Sequence, residues 1–184
     1  MIEEKIVEAV ISKMKNCFEN DNEHFSSTRD IFTARIQSYV LETNNYLEAA
    51  IIGEIGNNTF DHNFVFENNY PRGVYCNLVF QQNYIILADF GKGVRQSLLP
   101  VLPLIKSDRE AVETAFTKRI SGRSPEQRGN GLKFVSEAIQ QNKWSLYFQS
   151  GRGYCSIDTT GIRFSDKNIS LAGCLAIINF NEVK

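Results

Sequence analysis

The chain has 184 residues, with 20 basic and 21 acidic side chains, a formal net charge of −1 and 42 % hydrophobic content. That length suits one domain, and the apolar fraction supplies a packed core and excludes a disordered chain. The charge balance argues against a nucleic-acid binder, which needs a basic surplus to neutralise phosphates. A small anion held by backbone amides and a helix end remains open to it.

Residues 2–18 place Ile2, Ile6, Val10 and Met14 four apart, with Val7, Ile11 and Phe18 beside them. This spacing predicts an amphipathic helix whose apolar stripe packs either on its own core or on a second copy. Residues 20–29 are polar and read as a linker, and residues 31–41 fit strand and helix equally. From Leu47 to His62, apolar positions 47, 51, 52 and 55 predict a helix. Val74, Cys76, Leu78 and Phe80 then alternate with their neighbours, and Tyr84 to Ala88 follow a polar Gln81-Gln82-Asn83, a hairpin pattern.

Ser107-x-x-Glu110 is a capping box opening a helix with Val112, Ala115 and Phe116. After a polar loop over 121–128, a second helix starts near Gly131 and carries Leu132, Phe134, Val135, Ala138 and Ile139. Strands are predicted over 144–149, 154–157 and 171–180. Helices mixed with successive hairpins imply an α+β fold, a two-layer sandwich.

Cys17, Cys76, Cys155 and Cys174 form no CxxC pair, and His24 and His62 are the only histidines. Buried free thiols in a reducing compartment are therefore expected rather than a zinc site. The acidic start Met1-Ile2-Glu3-Glu4-Lys5 does not read as a signal peptide. No segment approaches the ~20 apolar residues of a membrane span. A cytoplasmic protein with no membrane or nucleic-acid partner is expected.

Three clusters carry chemistry. In Glu54-Ile55-Gly56-Asn57-Asn58-Thr59-Phe60-Asp61-His62, residues Glu54, Asn58 and His62 share one helix face. A carboxylate beside an amide oxygen suits proton abstraction next to a hard cation such as Mg²⁺, which takes oxygen ligands and keeps waters. A solvated polar face has the same pattern. The second cluster, Asp89-Phe90-Gly91-Lys92-Gly93, follows an apolar strand, so the Asp could accept an exocyclic amine while the glycines admit a ligand to the backbone. An ordinary turn reads alike. It is neither a kinase Asp-Phe-Gly in its usual context nor a dinucleotide fingerprint, because Gln96 stands where a third Gly or Ala is needed. The third cluster, Arg128-Gly129-Asn130-Gly131-Leu132-Lys133, opens a helix whose unpaired amides and dipole favour an anion, with Arg128 and Lys133 either assisting or solvated.

Taken in order on these elements, the three clusters resemble the GHKL (Bergerat, or histidine kinase-like ATPase) fold of gyrase-, chaperone-, histidine-kinase- and MutL-type proteins, over roughly residues 40–180. The resemblance divides the chain into an N-terminal helix and linker extension, 1–40, and an ATP-binding domain, 41–184. It implies that Asn58 holds Mg²⁺ against the ATP phosphates and that Glu54 is the general base. It likewise implies that Asp89 binds the adenine amino group, that Gly91 and Gly93 pack on the base, and that Gly129 and Gly131 lie near the phosphates. Residues 95–128 look like the ATP lid. Gly173-Cys174 stands where many members carry Gly-Thr, which brings Cys174 to the adenine, and Asn57 and Thr59 depart from the usual residues flanking the asparagine.

Only about 40 residues precede this region, too few for a two-helix phosphoacceptor domain, and His24, the one acceptor candidate there, reads rather as a surface histidine. The second domain that gyrase and MutL relatives need after this fold is not expected. A stand-alone domain most resembles the anti-sigma-factor type of serine kinase, with ATP and Mg²⁺ as cofactors, STAS-like or other regulatory proteins as partners, and a homodimer by analogy. The expected function is hydrolysis of ATP or phosphorylation of a partner serine. The alternative is a non-catalytic module whose nucleotide gates a protein contact.

Overall fold

The computed structural model describes residues 2, 4–17, 23–62, 73–80, 84–118 and 131–181. In chain order its elements are α1 (Glu4–Cys17), β1 (Phe25–Ser26), α2 (Arg29–Thr43), α3 (Tyr46–His62), β2 (Val74–Phe80), β3 (Tyr84–Asp89), α4 (Gly93–Leu98), α5 (Asp108–Thr117), α6 (Gly131–Gln141), β4 (Ser145–Asp158) and β5 (Gly161–Asn179). The strands form one antiparallel sheet in the order β1-β2-β3-β5-β4. The fold is α+β.

Side-chain alternation along the strands assigns each residue to one of two faces. Val74, Cys76, Ile85, Leu87, Leu146, Phe148, Ala176 and Ile178 point to the helix layer, where they pack with Phe32 of α2, Ile51, Ile52 and Ile55 of α3, Val112 and Phe116 of α5, and Val135 and Ile139 of α6. The intervening Tyr75, Tyr84, Ile86, Ala88, Tyr147, Leu175 and Ile177 face the other way and are covered by Ile6, Val7 and Val10 of α1. All six residues of β3 are buried for this reason, and its pattern reads as a continuous apolar run. The two-layer expectation thus gains a helix on its second face. Of the two uses open to the α1 stripe, the chain takes the intramolecular one.

Residues 31–41 are helical. Thr28 caps α2, its Oγ1 accepting from the Ile31 amide at 3.4 Å, and Asn44 ends it in the left-handed region (φ 56°) with its N–H on the Val40 carbonyl. The ambiguity had a physical source: Phe32, Ile36 and Tyr39 face the core, but Ile31 and Leu41 are exposed elsewhere on the helix and blur that stripe. Phe32 sits directly under Gly56, where a Cβ would lie 2.1 Å from the ring, so α2 and α3 approach closely. Within the predicted linker, Phe25 and Ser26 pair with Tyr75 and Val74 as an edge strand. The 40/41 boundary falls inside α2, and Phe32 belongs to the same core as α3.

The C-terminal strands are longer than predicted. β4 runs through Gly151 and Gly153 by shifting register against β5, and β5 begins at Gly161 rather than at 171. Glycines and the polar run 165–170 hid this ribbon, because residues there are mostly solvent-facing. The lid expectation needs correction over 95–118. Residues 93–98 form α4, and α5 lies in the core with Ala111, Val112 and Phe116 buried, Phe116 packing edge-on to Phe148 at 5.1 Å. Ser107 Oγ accepts from the Glu110 amide as the capping box requires, while Glu110 reaches the Lys106 amide. Asp108 Oδ2 accepts from the Arg152 amide at 2.9 Å and fastens the start of α5 to β4. The remaining stretch, 119–130, lies outside the described residues.

Candidate functional site

At one end of the sheet, Asp89, Cys174 and Ser150 form a single rung across β3, β5 and β4. Each continues the parity of residues that face the helices: 85 and 87, 176 and 178, 146 and 148. Three polar or thiol side chains therefore meet under the helix layer where the apolar series stops. Buried polar groups at such positions require partners, since an unpaired one costs about 1–3 kcal/mol.

The partners are present. Asp89 is only 4 % exposed; its Oδ2 accepts from the Thr59 hydroxyl at 3.0 Å and its Oδ1 from the Gly91 amide at 2.8 Å. Ser150 Oγ accepts from the Val94 amide at 2.9 Å and donates to the Gly173 carbonyl at 3.0 Å. This hydroxyl ties the start of α4 to β5. Gly173 has φ +72°, and a Cβ there would lie 2.1 Å from the Asp89 carbonyl oxygen and 2.5 Å from its Oδ1. Only glycine allows β5 to pass so close to the aspartate. At Gly93, a Cβ would meet Ser150 Oγ at 2.7 Å.

α3 carries the first cluster over this rung. Its inner face is Ile51, Ile52, Ile55, Gly56 and Thr59; Glu54 is exposed and Asn58 half-buried. Glu54 reaches α6, since a Cβ on Gly131 would stand 2.3 Å from Glu54 Oε2. The structure thus joins the first and second clusters through Thr59 and Asp89, and the first and third through Glu54 and Gly131. His62 stays at the end of α3, its carbonyl accepting from Ser97 Oγ of α4 at 3.3 Å. Lys133 extends along the outside of α6 to Glu137, 3.9 Å away. Arg128 and Gly129 lie outside the described residues.

Sequence reasoning missed the working parts of Thr59 and Ser150. Both had a signal. Thr59 continues the buried series 51, 52, 55 and 56 of α3, and Ser150 continues Leu146 and Phe148 of β4. A hydroxyl at a core position needs a buried acceptor or donor.

Cys76, Cys155 and Cys174 form no disulfide. Burial pushes the Cys76 thiol up to about 12 and raises that of Cys155, so both are inert core groups. Cys174 is half-buried opposite Asp89. Among the described residues, no three His, Cys, Asp or Glu side chains gather as metal ligands. His24 packs against Tyr75 with ring centroids 5.7 Å apart. Among the described residues, no helix is long and apolar enough to cross a membrane.

No protein-family model matches the sequence, and no curated protein matches it.

Proposed function

We propose that this chain is a GHKL-type domain that binds Mg-ATP and uses Glu54 to activate water or a partner serine for phosphoryl transfer. The observation that carries the reading is the buried Asp89 carboxylate at the end of the central strand, held by donors from α3 and from the Gly91 turn. Carboxylate oxygens are hydrogen-bond acceptors and suit an exocyclic amine such as that of adenine. Beside it, Gly93 and Gly173 let Ser150 and Asp89 approach the backbone closely, which holds this end of the sheet together.

The first helical residue of α6 lies against Glu54, so a base candidate stands beside a helix N-terminus, where phosphate charge is favoured. Asn58, one turn after Glu54, offers a single amide oxygen. That donor set fits Mg²⁺, which is usually held by one or two protein ligands with waters and phosphates. The bound ion would neutralise phosphate charge. Glu54 would take the proton from the attacking hydroxyl, and the exposed position of its side chain gives that nucleophile access.

Calorimetric titration with Mg-ATP, followed by phosphate release, tests this reading. Asn58→Ala is expected to abolish Mg-dependent binding. Glu54→Ala is expected to keep binding and lose turnover by a factor of about 10²–10⁴. Unchanged Mg-ATP affinity in the Asn58 variant would overturn the assignment. Binding by the wild type without phosphate release or partner labelling would leave the non-catalytic, nucleotide-gated module instead.

A further inference from the structure

Large apolar side chains stand in solvent at two separate places on the molecule. At the corner between α2 and α3, Leu41 is 86 % exposed and Tyr46 69 %, with Leu47 beside them. In the loop between α4 and α5, Leu104 is 85 % exposed and follows the exposed Val101. We infer that the corner of one copy binds the loop of a second copy, so that the chain self-associates head to tail. The contact is independent of the nucleotide reading.

Both places are ordered, and the loop holds its leucine outward. The amides of Val101 and Leu102 donate to the Leu98 carbonyl at 3.0 and 2.8 Å, and that of Ile105 to the Leu102 carbonyl at 3.2 Å. Ile105 is buried beneath while its neighbour Leu104 projects. Pro100 and Pro103 fix two further backbone angles. A turn held in this way loses little conformational freedom on binding, which suits an apolar anchor. At the corner, the Asn44 amide donates to the Val40 carbonyl and the Asn45 amide to Thr43 Oγ1.

The two rims carry opposite charge. Between Phe90 and Ser107 the charged residues are Lys92, Arg95 and Lys106, all of them basic. The acids that follow are already engaged: Asp108 accepts from the Arg152 amide and Glu110 from the Lys106 amide. From Ile36 to Pro71 the chain contains no Lys or Arg, and the corner carries Glu42 and Glu48. Glu48 accepts from the Tyr39 hydroxyl and the Asn45 side-chain amide, neutral donors that leave its charge in place. Each surface therefore repels its own like and attracts the other, the complementarity that selects a partner and a register. The chain itself supplies both halves.

The two surfaces cannot meet within one molecule. Tyr46 begins α3 and His62 ends it, 17 residues or about 25 Å apart. The loop belongs to the far end of that helix. Ser97, just before it, donates to the His62 carbonyl, and Asp108, just after it, is fastened to β4 beyond Ser150. A contact between unlike surfaces at opposite ends is heterologous, so it builds rings or open rows of copies rather than a two-fold dimer.

Sedimentation velocity of the full chain over a range of concentrations, at low and high salt, tests this. The mass of the wild type is expected to rise past that of a dimer with concentration, less so at high salt. Leu41→Ser and Leu104→Ser are each expected to weaken association about thirtyfold, the effect of losing one central anchor. Mixed in equal amounts, the two variants are expected to form a dimer and stop there, because one keeps the loop and the other keeps the corner. Glu42→Lys and Lys106→Glu, which alter only the rims, carry the same expectations and replace a serine variant whose thermal melt is not cooperative. A wild type that stays monomeric at every concentration overturns the inference. So does an association that survives Leu41→Ser or Leu104→Ser, or a mixture of the two variants that remains monomeric.

Discussion

At the residue scale, the fold places the buried carboxylates of Asp89 and Asp158 where hydrogen bonds reach them. Asp158 ends β4 and is 4 % exposed. Burial alone would raise its carboxyl, but the Thr160 hydroxyl and amide and the Arg163 guanidinium outweigh that effect and hold it below the usual carboxylate range. A depressed folded-state value means the stabilisation is complete above the unfolded carboxyl range, near pH 4, and is lost as pH falls through the lower folded value. Asp158→Asn is therefore expected to cost about 1–2 kcal/mol at neutral pH, with the difference shrinking in acid; urea melts of both proteins at pH 7 and below pH 4 check it. Asp89 is likewise buried and accepts hydrogen bonds from the Thr59 hydroxyl and the Gly91 amide. Its neighbour Gly173 is legible as a glycine in the sequence, but its purpose is not. The reason is spatial: the obstruction comes from Asp89, on another strand.

At the element scale, legibility followed the strength of the periodic signal. α6 was plain because Val135, Ala138 and Ile139 are buried on one face while Lys133 and Glu137 pair outside. α2 was ambiguous because the exposed Ile31 and Leu41 blur the core-facing stripe of Phe32, Ile36 and Tyr39. β1 was invisible, since two residues gain strand geometry only from the edge of β2. The position of α1 follows from a different cause. Its stripe was readable, yet only the outward Tyr75, Tyr84, Ile86, Leu175 and Ile177 of the sheet identify what it covers. Val10 is 2 % exposed in that layer. Val10→Asp is expected to detach α1 by burying a charge that has no compensating partner among the apolar residues of this layer, with destabilisation of about 3 kcal/mol or more. Dye binding to the uncovered sheet face and size-exclusion behaviour measure the result, and a variant as stable as the wild type would refute this use of α1.

At the scale of the whole molecule, the candidate site is a product of convergence. β3 brings Asp89 to the sheet end, α3 supplies Thr59, Asn58 and Glu54, α6 begins against Glu54, and β4 and β5 brace the turn through Ser150 and Gly173. Ligand binding at a junction of so many elements should stabilise all of them together. Mg-ATP at one hundred times its Kd is expected to add about 2.7 kcal/mol, a rise in Tm of roughly 5–10 °C for a chain of this size. Differential scanning fluorimetry with and without Mg-ATP checks it, and an unchanged Tm would count against a nucleotide site here.

The sequence by itself determined which segments could be amphipathic helices or alternating strands, that the chain is α+β, and that three polar clusters fall at element ends. These are local properties, set by periods of 3.6 and 2 and by caps such as Ser107. The tertiary structure alone decided that α1 closes the second face, that α5 belongs to the core, and that Thr59 and Ser150 serve the same end of the sheet as Asp89. Those facts depend on which residues meet across 30 and 56 positions of chain. The composition and charge that opened the question excluded a basic binding surface; the buried, hydrogen-bonded carboxylate of Asp89 supplies the polar focus that the net charge of −1 could not reveal.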